Sequence, residues 1–372
     1  MKASICYVRI AAAFLAAAMT SCGGGAGRSV VPQASLSRAM FTGFATPGQI
    51  TEFKANANGV TGGIALGYDG AVWFTQNNSF VGRFLNPAFS SVQININEFN
   101  FFQIPAFPIL ASTTQGIYTG VELDESAGFG VLENIVQITY ARNVVLTKGV
   151  QGAEVNASMN AITAGGSSVY ATGSYDAFSS PPFPGCSACL YVLSNSGKQN
   201  SLLHSDEVGK AIAYLNNTVY VAASESTNGL PRGMTIYSVN PTTFAFHKIV
   251  ALGSSNINGM AAGPDNAVWF TDEGRNAIGR LGSDGHVTEF PLPVAHAGPN
   301  QITSAADGAL WFTETFSNKI GRITTTGGIT QYNIPTADAK PVGISALPVS
   351  PCGPRAVWFA ETGSGKIGEV TY

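Results

Sequence analysis

All four tryptophans of this chain fall in one short phrase, and the phrase repeats. Ala71-Val72-Trp73-Phe74-Thr75-Gln76 recurs as Ala267-Val268-Trp269-Phe270-Thr271-Asp272, as Ala309-Leu310-Trp311-Phe312-Thr313-Glu314, and as Ala356-Val357-Trp358-Phe359-Ala360-Glu361. Turn dipeptides precede it at Asp69-Gly70, Asp265-Asn266 and Asp307-Gly308. Val81-Gly82-Arg83, Ile278-Gly279-Arg280, Ile320-Gly321-Arg322 and Ile367-Gly368-Glu369 follow it. A second turn and an alternating run such as His286-Val287-Thr288-Glu289-Phe290 complete the unit. Each unit therefore reads as four short strands joined by tight hairpins. Trp269 and Trp311 are 42 residues apart, and Trp311 and Trp358 are 47 apart. Four strands at that period specify the blades of a β-propeller.

The stretch between Trp73 and Trp269 has room for three weaker blades. One copy is read at Gly130-Val131-Leu132-Glu133 with Ile135-Val136-Gln137-Ile138 after it. Ser168-Val169-Tyr170-Ala171-Thr172 leads a second, and Thr218-Val219-Tyr220-Val221-Ala222 a third, with Tyr at the Trp position. The total is seven. The ends agree: the last unit stops after three strands, and Gly48-Gln49-Ile50-Thr51-Glu52-Phe53 matches the missing fourth, Gly285-His286-Val287-Thr288-Glu289-Phe290. The fold class expected is all-β, a seven-bladed propeller whose N-terminal strand completes its last blade and leaves no open edge.

Composition supports one large β domain over residues 47–372. Charged residues are only 11% against about 25% in ordinary domains, while 45% hydrophobic residues can fill a core. The net charge of −3 and the lack of a basic stripe exclude nucleic acid as a partner. Lys2 and Arg9 flank a short n-region, and Ile10–Met19 is an apolar run too short for a permanent span. Thr20-Ser21-Cys22 and Gly23-Gly24-Gly25 then resemble a bacterial lipobox. Residues 1–22 read as a lipoprotein signal peptide with Cys22 lipidated, and residues 23–46 as a flexible tether. The expected location is the cell envelope, with membrane contact through the lipid anchor only, or secretion, for a monomeric protein.

The phrase at 263–291, Gly-Pro-Asp-x-Ala-Val-Trp-Phe-Thr-Asp, then Ile-Gly-Arg-Leu and Gly-x-Val-Thr-Glu-Phe-Pro, resembles the streptogramin (virginiamycin B) lyase family. Residues 306–335 fit about as well. The resemblance is strong over 256–372 and around 48–84, and faint over 108–250. It implies a propeller that opens a cyclic depsipeptide by C–O elimination with a divalent cation, Mg²⁺ or Ca²⁺. It also implies histidines fourteen residues before the acid that follows Trp-Phe-Thr, with an acid two residues before one of them. Those positions are Asn258 and Asn300, with Gly298 two before Asn300, and Val342 in the last blade. Asparagine does not titrate near neutral pH and cannot serve as a general base.

Gln76, Glu133, Asp272, Glu314 and Glu361 are expected at one rim, around the channel. Together with Asn258 and Asn300 they form the candidate seat for a small-molecule or peptide ligand, with Glu314 and Glu361 as cation ligands. The alternative for each carboxylate is that it accepts N–H groups of its own inter-strand loop. His296, four residues before Asn300, is the one histidine placed to reach the channel as a catalytic base, with Glu314 as its partner. His204, His247 and His286 read as peripheral. Cys186 and Cys189 read as a local disulfide outside the cytoplasm, and Cys352 is left over. The segments 173–189 and 224–233 read as loops that form a hood over the rim. Arg83, Arg280 and Arg322 read as structural, pairing with a neighbouring blade. Two functions follow: a non-catalytic ligand-binding lipoprotein, which the Asn and Val positions favour, or a C–O lyase.

Overall fold

In the computed structural model the described residues are 47–55, 59–76, 80–84, 92–95, 110–124, 131–140, 144–146, 155–177, 189–196, 199–202, 207–227, 230–346 and 356–372. They form seven antiparallel sheets of four strands each. Blade one holds β2 (Ile64–Leu66), β3 (Val72–Gln76), β4 (Phe80–Phe84) and β5 (Val92–Asn95). Blade two holds β6 (Ala111–Thr113), β7 (Gly116–Asp124), β8 (Val131–Thr139) and β9 (Val144–Leu146). Blade three holds β10 (Val155–Gly165), β11 (Ser168–Ala177), β12 (Cys189–Ser194) and β13 (Gln199–Leu202). Blade four holds β14 (Glu207–Leu215), β15 (Thr218–Thr227), β16 (Leu230–Val239) and β17 (Phe246–Ala251). Blade five holds β18 (Ile257–Ala262), β19 (Val268–Asp272), β20 (Ala277–Leu281) and β21 (Val287–Pro291). Blade six holds β22 (Pro299–Ser304), β23 (Ala309–Glu314), β24 (Lys319–Thr324) and β25 (Ile329–Asn333).

Both ends of the chain build blade seven. Its strands are β26 (Pro341–Ser345), β27 (Ala356–Glu361), β28 (Lys366–Thr371) and β1 (Ile50–Lys54), in the order β1-β28-β27-β26. Ile50 lies opposite Val370 and Lys54 opposite Lys366. Phe53 then stacks on Trp358, with centroids 5.4 Å apart, and meets Phe84 of blade one at 5.2 Å. The expected closure by the N-terminal strand is what the fold shows.

The repeated phrase has a physical reason at nearly every letter. Trp269 and Trp311 are fully buried between sheets and stack on Phe290 and Tyr332 of the outer strands, at 5.5 and 5.4 Å. The Phe after each Trp lies flat on the Gly of Ile-Gly-Arg, so a Cβ at Gly279 or Gly321 would run into that ring. The turn aspartate and the arginine close over the indole. Asp265 accepts from Trp269 Nε1 at 2.9 Å and from Arg280 Nε at 2.7 Å, and Arg280 sits 6.0 Å above the Trp269 ring. Burial alone would raise the Asp265 carboxyl, but these two donors hold it below its usual range. Asp69, Trp73 and Arg83 repeat the arrangement, as do Asp307, Trp311 and Arg322. The arginines thus pair within their own blade, which corrects the expected pairing with a neighbour.

Two further expectations are revised. The repeat puts Glu133 at the end of a second strand, but it lies on β8, the third strand of blade two, opposite Glu122. The true marker of that blade is the buried Tyr118 on β7. The second revision concerns the 224–233 segment, which is less a loop than an arm. Strands β15 and β16 continue past the length of their blade-five counterparts until Thr227 faces Leu230. β11 is similarly extended to Ala177.

Candidate channel-mouth site

The innermost strands β2, β6, β10, β14, β18, β22 and β26 surround a central cavity of about 480 Å³. Its wall carries no carboxylate, ammonium, guanidinium or imidazole among the described residues; Tyr68 and Tyr214 are its titratable groups. The polar wall groups are amides and hydroxyls, including Asn160, Thr163, Asn258, Gln301 and Thr303. A wall of this kind offers hydrogen bonds and no compensating charge, so it favours an uncharged guest.

In each blade the second strand runs toward one rim, where the loop to the third strand begins. Asp272, Glu314 and Glu361 end their strands there and are fully buried, and Gln76 is 2% exposed. None of these four lines the cavity. The reason is the two-residue period of a strand. The preceding threonine faces the next blade: Thr271 Oγ1 donates to Asn300 O at 2.5 Å, and Thr313 Oγ1 to Val342 O at 2.7 Å. The acid one residue later turns back to its own loop. Asp272 Oδ1 accepts the Asn256 and Arg275 backbone N–H groups at 3.0 and 3.1 Å. Glu314 Oε2 accepts from Ser317 Oγ at 2.6 Å, and both its oxygens accept from Gln331 Nε2, at 2.7 and 2.9 Å. Burial still raises the Glu314 carboxyl against those donors. Gln76 Nε2 donates to Gly59 O at 3.2 Å. The rim acids expected around the channel are therefore separate groups turned toward their own blades, and Asp272 Oδ2 has no hydrogen-bond partner, with Arg275 Nε 3.9 Å away.

Blade seven differs. Glu361 Oε2 accepts from Ser364 at 2.6 Å, while Oε1 has no hydrogen-bond partner. Where Gln331 serves Glu314, strand β1 brings Glu52, another carboxyl, bound to Thr336 N and to Lys366 Nζ. Burial and the Glu52 charge push Glu361 up to about 7 against the Ser364 and Lys366 contacts. A divalent cation does not fit between Glu314 and Glu361. The Glu314 oxygens are taken up by Ser317 and Gln331, Lys366 already sits beside Glu361 and Glu52, and Gly298 supplies no donor two residues before Asn300. Among the described residues no three His, Cys, Asp or Glu side chains converge.

Among the described residues, the groups that meet around Asn258 are amides and one carboxylate, Glu273, which lies outside the repeated phrase. Asn258, on the wall, donates Nδ2 to Glu273 Oε2 at 2.8 Å, and Asn256 donates to the same oxygen at 3.0 Å. Gln301 Nε2 donates to Asn258 O at 2.8 Å. Asn300 turns its amide to Thr315 Oγ1 at 3.4 Å, and Thr315 donates to Pro341 O at 2.7 Å. Val342 lines the wall as an apolar group. Glu273 lies one residue past the repeated phrase; the two asparagines spaced by two on β18 and its lead-in were the available signal. His296 is exposed on the loop from β21 to β22, with φ of 52°, and is not part of the cavity wall. His247 is exposed on outer strand β17, and His286 is exposed one residue before outer strand β21. Cys22, Cys186, Cys352 and His204 lie outside the described residues, as do the side chains of Glu133 and Cys189. No helix among the described residues is long and apolar enough to cross a membrane.

Residues 246–372 match the Virginiamycin B lyase family. A virginiamycin B lyase of Bordetella bronchiseptica is 56% identical over 45 residues, 12% of this chain and 15% of that protein. The Bordetella pertussis protein is 54% identical over 44 residues, with the same shares. The match thus spans 15% of the length of these curated relatives. Among solved structures, virginiamycin B lyase from Staphylococcus aureus superposes with a TM-score of 0.65 at 23% identity, over 87% of this chain and 99% of that one. A catalytically inactive histidine-to-alanine variant of the Staphylococcus aureus lyase with quinupristin gives 0.64 at 22%, with the same coverage. At such identities the likeness is one of fold. The chain is a seven-bladed β-propeller whose residues 246–372 match the Virginiamycin B lyase family.

Proposed function

We propose that this chain is an envelope propeller, anchored through Cys22, that binds an uncharged small molecule or peptide at the channel mouth without cleaving it. One observation carries the reading. The positions where the lyase resemblance calls for histidine are Asn258, Asn300 and Val342, and each of the two amides is committed to the residue just past its blade's buried acid, Glu273 or Thr315. An amide orients a ligand by donating and accepting hydrogen bonds, but it does not take up a proton at neutral pH. C–O elimination needs a base that removes a substrate proton and an acid or cation that stabilises the departing carboxylate. Asn258 and Asn300 supply neither role, and the carboxylate beside Asn258, Glu273, is engaged on one oxygen by both Asn256 and Asn258. The inactive Staphylococcus aureus variant points the same way, since loss of one histidine is enough to silence that enzyme.

The test is equilibrium binding of virginiamycin B, the compound its relatives are named for, to the full chain by calorimetry. Saturable binding that weakens in Asn258→Ala supports the reading. Absence of binding by the wild-type protein removes the proposed ligand class.

A further inference from the structure

Phe316 is 69% exposed at the rim and has no counterpart in the neighbouring blades. It stands in the β23–β24 loop, one residue after Thr315 and two after Glu314. The equivalent residues of blades five and seven are Gly274 and Gly363. There, the loop presses against the preceding connection: a Cβ on Gly274 would lie 2.5 Å from Ser254 O, and one on Gly363 would run into Asp338 O. Neither loop has room for a side chain.

Blade six exchanges the two partners. The facing residue, Asn256 in blade five and Lys340 in blade seven, is Gly298 in blade six. Gly298 has φ of +66°, and a Cβ there would lie 2.5 Å from the Phe316 ring. The missing side chain is what makes space for the ring, which rests one face on the Gly298 backbone. The loop itself is held firmly. Thr315 N donates to Gly298 O at 2.9 Å, Phe316 N to Ala297 O at 3.0 Å, and Ser317 N to Ala297 O at 3.1 Å. A large apolar ring is thus carried on a firmly held loop, one residue from the Thr315 that bonds Asn300, and left open to water, so a flat guest laid on it would bury apolar area.

We infer that Phe316 is the stacking platform of the channel mouth, so that the ligand presents an aromatic or other flat apolar ring to the rim while its polar groups meet Asn258, Asn300 and Gln301. This deepens the binding reading above and rests on it. An exposed ring on a rigid loop loses little freedom when a guest stacks on it, so stacking gains are retained as affinity.

The test titrates the full chain with two neutral ring-bearing probes, virginiamycin B and N-acetyltryptophanamide. Phe316→Ala is expected to weaken both about tenfold, Phe316→Tyr to restore binding, and the melting temperature of both variants to match wild type. Wild-type affinity in Phe316→Ala, with binding still lost in Asn258→Ala, overturns the platform and leaves the binding site standing. Binding of neither probe by the wild-type chain overturns both.

Discussion

Asn258 and Glu273 are joined by a 2.8 Å hydrogen bond from amide to carboxylate beside the channel, where the family resemblance would place an imidazole. The bond links the inner strand β18 to the start of the next rim loop, and Asn256 reinforces it on the same oxygen. Asn258→Ala should cost about 1–2 kcal/mol in urea unfolding, the range for a partly exposed bond to a charged group. A neutral result would mean that Asn256 alone satisfies Glu273.

Divalent cations should leave the protein unchanged. Glu314 has both oxygens engaged by Gln331 and one also by Ser317, and Glu361 is flanked by Lys366 through Glu52. Thermal unfolding with Mg²⁺ or Ca²⁺ added in excess should give the melting temperature found with chelator. A rise that Glu314→Gln abolishes would reinstate the cation site.

The seam that closes the ring should respond to pH. Glu361 is raised from its ordinary 4.5 to about 7, first by burial and then by Glu52. The folded state therefore holds a proton that the unfolded chain releases, and stability from this group is full below about 4.5 and lost as pH rises through about 7. Glu52 works the other way. Despite burial, Thr336 and Lys366 hold it below its usual value, so its contribution is present above that value and lost on acidification. Between pH 5 and 7 the Glu361 slope, at most about 1.4 kcal/mol per pH unit, should appear in denaturant unfolding and vanish in Glu361→Gln. An unchanged slope in that variant would assign the pH dependence elsewhere.

The indole contacts differ between blades and should differ in energy. Trp311 donates Nε1 to Asp307 and lies under Arg322. Trp358 has Glu369 opposite it instead of an arginine, and its Nε1 has no partner among the described residues. Burial accordingly raises the Glu369 carboxyl. Trp311→Phe should cost about 1–3 kcal/mol more than Trp358→Phe by chemical denaturation. Equal costs would show that Asp307 and Arg322 add nothing beyond packing.

The fold was legible because its determinants are local. Trp, Phe, Gly and Arg recur at fixed offsets, and Gly48–Phe53 repeats an outer strand that the last blade lacks. Blade two was misread because Tyr118 replaces the tryptophan and no aspartate turn precedes it, so the apolar run on β8 drew the assignment. The site was legible only in part. Spacing places Asp272, Glu314 and Glu361 at one rim, but it does not say which way they face. That depends on Thr271 and Thr313 reaching the next blade, a contact between repeats that no single repeat encodes. Glu273 was missed because it follows the phrase, and Phe316 because its meaning lies in Gly298 opposite.

The proposed function has this mouth bind its ligand without cutting it. Elimination across an ester C–O bond yields a linear acid of unchanged mass, so the decisive measurement is a chromatographic time course of virginiamycin B with purified protein and Mg²⁺. The cyclic compound is expected to persist as it does in the protein-free control. A protein-dependent linear isomer, lost in Glu314→Gln, would contradict it.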